Sequence, residues 1–198
     1  PYLWRFTQAL GTPNITSAGA LICLGPRKNA GFSTSGTYSC VDYYGDVLPE
    51  CIVVWGANPT VSGADGELQW HPKRCARHGT RFIVIDPQKT ELAAHADLWL
   101  RLRPGTDGAL ALGILNVIIR EELYDHDFVD KWTFGFEELK QLCAGYDLKR
   151  VSEITWVTEE QILAAARMMA SVKPMSLEWG CAFEQSYNAA NTCRAIYM

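Results

Sequence analysis

Apolar positions along the chain fall in short runs closed by glycine or proline, and these runs alternate with stretches of helical period. Cys51-Ile52-Val53-Val54-Trp55 is a continuous apolar run ending at Gly56, the pattern of a strand buried on both faces. A loop over 57–64 follows, then a helix over about 65–78 stopped by Gly79. Arg81-Phe82-Ile83-Val84-Ile85-Asp86 predicts a second strand closed by Pro87, which completes a β-α-β unit. A third strand over 97–102 enters the turn Arg103-Pro104-Gly105-Thr106-Asp107. The helix after it, to about Glu121, is apolar on nearly all sides and so packs on more than one face. Asp125 and Thr158 are N-cap candidates. Thr158 with Gln161 forms a capping box, and Ile162, Ala166 and Met169 mark one helical face. Pro174 ends that helix, 175–180 reads as a further strand, and helix resumes from Asn188. Upstream, 25–46 is rich in Gly, Ser and Tyr and reads as irregular loop.

Strands alternating with helices predict an α/β fold, a doubly wound, mainly parallel sheet with helices on both faces. The domain reading is a loop-rich segment over 1–50 and an α/β region over 51–198. With 198 residues, 48% hydrophobic and 20% charged, the chain can bury a real core. A net charge of -4 leaves no basic field to hold nucleic acid or an anionic membrane surface. The longest apolar run, 109–119, is broken by Gly113 and Asn116 and is too short to span a bilayer, which needs about 18 residues. Seven scattered cysteines without a C-x-x-C pair fit neither a disulfide frame nor a zinc knuckle. Cys51 and Cys143 read as small buried hydrophobes, and reducing surroundings are expected, with export left open. The opening at Pro1, without Met or a leader pattern, leads us to expect a piece of a longer protein.

In doubly wound sheets ligands bind beyond the carboxyl ends of the strands. Three such ends carry polar or glycine residues: Gly56-Ala57-Asn58-Pro59, Asp86-Pro87-Gln88-Lys89-Thr90 and Pro104-Gly105-Thr106-Asp107. An Asp after a strand can accept from sugar hydroxyls or base N–H groups, and glycine lets the backbone approach a phosphate. Each piece also has a local reading, as strand end, chain turn or helix cap. Their recurrence at three successive strand ends favours a ligand edge. No G-x-G-x-x-G occurs, so an ordinary NAD site ranks last.

The order of these pieces resembles the molybdopterin oxidoreductase (dimethyl sulfoxide reductase) family. The resemblance runs through Gly11-Thr12-Pro13-Asn14, Cys23-Leu24-Gly25-Pro26-Arg27, Trp55-Gly56-Ala57-Asn58-Pro59, Val84-Ile85-Asp86-Pro87 and Ala96-Asp97-Leu98-Trp99-Leu100 into Arg103-Pro104-Gly105-Thr106-Asp107. It continues through Leu123-Tyr124-Asp125, Asp127-Phe128-Val129 and Thr133-Phe134-Gly135-Phe136. It implies molybdenum or tungsten held between two molybdopterin guanine dinucleotides. The reaction implied is a two-electron oxygen, sulfur or hydride transfer on a small-molecule substrate, with electrons passing to an iron-sulfur partner subunit.

In that family the residue ahead of an early Gly-Pro pair ligates the metal, which here points to Cys23, two residues before Gly25-Pro26. A thiolate is a soft donor suited to a metal already held by dithiolene sulfurs. The dinucleotide contacts would fall on Trp55, Gly56, Ala57 and Asn58, on Asp86 with Lys89 or Thr90, and on Gly105, Thr106 and Asp107. Asp107 would accept paired N–H bonds from a guanine edge. Gly180, Cys181 and Gln185 fall near the pterin, and Arg194 falls where some members carry an active-site arginine. Arg27 would either orient an anionic substrate or make a surface salt bridge.

Departures from the family pattern narrow the expectation. Leu24, not His, follows Cys23, which disfavours formate as substrate, and Gln88 stands where Arg is common. The family's [4Fe-4S] cluster needs closely spaced cysteines that this chain lacks, and would precede Pro1. Two rivals remain: a cofactor-free scaffold like the large peripheral subunit of respiratory complex I, and a non-redox tungsten hydratase of the same family.

Overall fold

The computed structural model describes residues 2–17, 19–37, 41, 44–62 and 67–198. Its centre is a four-stranded, wholly parallel sheet of β1 (Cys51–Trp55), β2 (Arg81–Ile85), β3 (Leu98–Leu100) and β4 (Met175–Trp179), in the order β3-β2-β1-β4. Every β1 side chain is buried, as a continuous apolar run between two helical layers requires. Alternate residues divide between the two faces. Cys51, Val53, Trp55, Ile83, Ile85 and Leu100 join one core, while Ile52, Val54, Phe82 and Val84 join the other.

The first face is covered by α2 (Gly25–Thr34), α6 (Asp107–Arg120), α9 (Leu148–Thr155), α10 (Glu159–Ser171) and α11 (Ala189–Tyr197). The second is covered by α4 (Glu67–Arg77) and α5 (Glu91–His95), through Cys75 and Ala93. Helix α6 buries Leu110, Ile114 and Val117, and its Gly113 allows α9 to approach so closely that a Cβ there would lie 2.8 Å from Val151. The doubly wound parallel sheet read from the hydrophobic pattern is the fold observed.

Local signals act as their chemistry dictates. The Thr158–Gln161 capping box opens α10, and Asp125 Oδ1 accepts from Phe128 N at 2.9 Å to cap α7 (His126–Trp132), which α8 (Phe136–Ala144) follows. Cys51 and Cys143 are buried as expected.

Two expectations are corrected. The 25–46 stretch is not all loop, because α2 starts at Gly25 with Pro26 in its first turn and packs against α11. The loop over 57–64 contains a short helix, α3 (Pro59–Ser62), closed by Val61 and Ser62 amides on the Asn58 carbonyl. The start of α4 expected near Asp65 lies outside the described residues, as does Cys40. Ahead of α2, helix α1 (Tyr2–Ala9) is followed by a π-helical turn, Gly19–Cys23, that delivers Cys23 to the sheet's carboxyl edge.

Candidate functional site

From β1 the chain adds β2 and then β3 on one side and later returns to add β4 on the other, so the order of strand addition reverses between β1 and β4 while all four strands stay parallel. At such a switch point the two outgoing loops separate and leave a crevice. Here they leave a cleft of about 730 Å³ whose lining includes Leu24, Arg27, Gly56, Asn58, Gly180 and Cys181.

Two glycines let these loops part from closely packed strands. Gly56 has φ +56, and a Cβ on it would stand 3.1 Å from the Ala182 side chain. A Cβ on Gly180 would stand 2.2 Å from the Gly56 carbonyl oxygen, closer than any side chain tolerates. The Gly180 amide donates to Trp55 O at 3.0 Å, so the β1 and β4 ends are laced together where they leave the sheet.

At the edge of the cleft two thiols meet: Cys23 Sγ lies 3.5 Å from Cys181 Sγ. Cys23 comes from the turn before α2 and Cys181 from the loop after β4, and a third residue fixes the two segments. Arg27, in the first turn of α2, forms an ion pair with Glu184, donates to Trp179 O at 3.1 Å and lies 4.9 Å from the Trp179 ring centre. Glu184 is fully enclosed, and burial outweighs the Arg27 charge and holds its carboxyl above the usual range. Arg27 is therefore an interior tie and not the surface salt bridge expected from sequence. Burial also pushes the Cys181 thiol up, with the neighbouring Cys23 adding to the effect.

The remaining sequence-predicted residues are distributed around the same sheet edge. Gly56, Ala57 and Asn58 line the cleft. Trp55 is buried, with its side chain turned into the core, and its indole Nε1 donates to Asp107 Oδ1 at 2.8 Å. That bond ties β1 to the first turn of α6. Burial nevertheless raises the Asp107 carboxyl above its ordinary range. Asp86, raised by burial as well, accepts from Gln88 N at 2.7 Å, and its carbonyl accepts from the Trp99 indole at 2.9 Å. Thr90 caps α5 through Ala93 N, and the exposed Lys89 sits 5.8 Å from the Trp99 ring centre. Gly105 is exposed in the turn before α6, and Thr106 Oγ1 donates to Arg103 O at 2.6 Å. Gln185 and Arg194 are exposed, and neither lines the cleft.

Sequence reasoning missed Glu184 and Trp179, whose roles depend on a contact across 157 residues. It also missed a buried relay on the other face, where His71 Nδ1 meets Glu178 Oε1 at 2.9 Å and His71 Nε2 meets Cys75 Sγ at 3.5 Å. The charged Glu178 inside a strand with no other charged residue was the available signal.

Comparison with known proteins gives this geometry its context. The chain is 39% identical to an acetylene hydratase of Syntrophotalea acetylenica over 194 residues, 98% of this chain and 26% of that protein. It is 37% identical over 147 residues to formate dehydrogenase H of Escherichia coli (strain K12), covering 74% of this chain and 20% of that enzyme. A solved acetylene hydratase from Pelobacter acetylenicus superposes with a TM-score of 0.85 at 38% identity, over 98% of this chain and 26% of that one. The chain thus spans about a quarter or less of the length of these relatives. The molybdopterin oxidoreductase family model matches residues 13–198, and the chain belongs to that family.

Proposed function

We propose that this chain supplies the metal-binding thiol and one wall of the dinucleotide site in a molybdenum or tungsten enzyme carrying molybdopterin guanine dinucleotide. The observation that carries this reading is the half-buried Cys23 thiol beside the cleft where β1 and β4 part: Cys23 is not in the lining itself, but it touches Cys181 and precedes Leu24, both of which are. The donor set fits such a group. Among the described residues no cluster of three or more His, Cys, Asp or Glu could hold a metal ion unaided. A metal that arrives with sulfur ligands needs only one further soft donor.

The bound cofactor would supply a metal able to exchange two electrons or to polarise a bound molecule. The chain's own residues have simpler tasks. Cys23 would anchor the metal as thiolate, while Gly56, Ala57, Asn58, Gly180 and Cys181 would bring backbone close to the pterin and phosphates. Asp107, with Asp86, Thr90, Lys89, Gly105 and Thr106, would hold the guanosine end, and a second dinucleotide would be gripped by parts of the enzyme beyond this chain. Gln185 and Arg194 would face the substrate side only in that larger assembly. An iron-sulfur partner subunit would carry electrons away, and a [4Fe-4S] cluster would be held by other residues of the enzyme.

Two-electron transfer to or from a small molecule is the reaction we assign. Water addition is a second reading, supported by the 39% identity to an acetylene hydratase over nearly the whole chain and by Leu24, which gives the cleft an apolar wall beside Cys23. Dye-linked oxidation or reduction of candidate substrates, run beside an assay for hydration of acetylene, separates the two. In either case Cys23→Ala is expected to lower the metal content at least tenfold and abolish turnover while leaving the thermal unfolding midpoint within a few degrees. Full metal content in the variant would remove Cys23 from the site.

A further inference from the structure

We infer that Cys23 and Cys181 form a reversible disulfide in the cofactor-free protein, masking the metal-binding thiol until the cofactor is inserted. The inference rests on the reading of Cys23 as the metal's ligand and extends it to a second residue. The two sulfurs are already in contact at 3.5 Å. Cys23 is half-buried and Cys181 exposed, whereas Cys51, Cys75, Cys143 and Cys193 are buried. Among the described cysteines, this pair alone combines mutual contact with access from solvent.

The surrounding structure favours pairing over independent oxidation. The Arg27–Glu184 ion pair and the Arg27 bond to Trp179 O hold the segment bearing Cys23 against the segment bearing Cys181. Both cysteines sit outside the sheet, one at the end of a π-helical turn and the other in a loop, so closing the sulfurs to bonding distance moves no strand. Tethered thiols exchange with an external disulfide in two steps. One cysteine thiolate attacks oxidised glutathione, breaking its S–S bond and releasing one glutathione. The other then displaces the second glutathione from the mixed disulfide. Two electrons and two protons pass from the cysteine pair to the oxidant, which leaves as two thiols.

The masking has a chemical use. A solvent-facing thiol awaiting a metal is open to oxidation beyond the sulfenic state, most of which cannot be reversed, whereas a disulfide is restored by ordinary dithiols.

The test uses the full-length protein made in cells unable to synthesise the cofactor, treated with oxidised glutathione and digested without reduction. The expected product is a peptide pair linking Cys23 to Cys181, lighter by two hydrogens and split by dithiothreitol. In Cys181→Ser, Cys23 should instead carry glutathione. Separate glutathione adducts on the two wild-type cysteines, without a linked pair, would overturn the inference and leave the metal reading to be judged by metal content. Metal-loaded protein should yield no linked pair. Equal linkage with and without metal would overturn the masking role together with Cys23 as ligand, while leaving the pairing itself in place.

Discussion

Asp107 shows how one residue can serve both fold and site. Its carboxylate accepts the buried Trp55 indole N–H and stands at the first turn of α6, where a helix N-terminus favours negative charge. Burial still raises its proton affinity above that of the unfolded chain. The folded state then binds more protons than the unfolded one, so this residue's stabilising contribution is full at low pH and is lost as pH rises through its folded value. Asp107→Asn keeps an oxygen for the indole and removes the charge. The variant should therefore lose the part of the stability decline that wild type shows above about pH 4, measured by urea unfolding across pH. The same change should weaken guanosine diphosphate binding to the cofactor-free protein about tenfold or more, seen by calorimetric titration, because a charged acceptor is exchanged for a neutral amide. Unchanged affinity would remove Asp107 from the guanine site.

At the scale of elements, the ion pair between α2 and the loop after β4 sets the position of Cys23. Arg27→Met would strand Glu184 in a fully enclosed position, at a cost of about 3 kcal/mol near neutral pH. The loss should shrink as pH falls, because an unpaired buried carboxyl is easily protonated. Arg27→Met with Glu184→Leu should recover most of that stability while loosening α2, which a double-mutant cycle of denaturant midpoints would measure. If the single variant is as stable as wild type, the tie is not a structural support.

The elements themselves were legible in sequence wherever one signal dominated. Runs such as 51–55 and 82–85, short, apolar and closed by Gly56 or Pro87, read as strands buried on both sides, and the Thr158 box and Asp125 cap fixed helix starts. Helix α2 was hidden because Gly25, Gly31 and the serines after it are turn formers, and its stability comes from packing against α11. The positions of Gly56, Ala57 and Asn58 at the cleft could be read from strand order alone. The meeting of Cys23 with Cys181, and of Arg27 with Glu184, could not, since each contact joins segments more than 150 residues apart.

At the scale of the whole molecule, the switch point of the parallel sheet gives a crevice, and among the described residues an accessible thiol pair stands beside it, Cys181 in its lining and Cys23 in contact with Cys181. Among the described residues no helix is long and apolar enough to cross a membrane. Membership of the molybdopterin oxidoreductase family agrees with this layout, and the chain spans about a quarter of the length of the acetylene hydratases it matches. The most direct test of the account is elemental analysis, with chromatography of released nucleotides, on the full-length protein purified without oxygen from cofactor-replete cells. The account predicts near-stoichiometric molybdenum or tungsten together with guanine nucleotide. Repeated preparations free of both would contradict it and turn the fold into a cofactor-free scaffold.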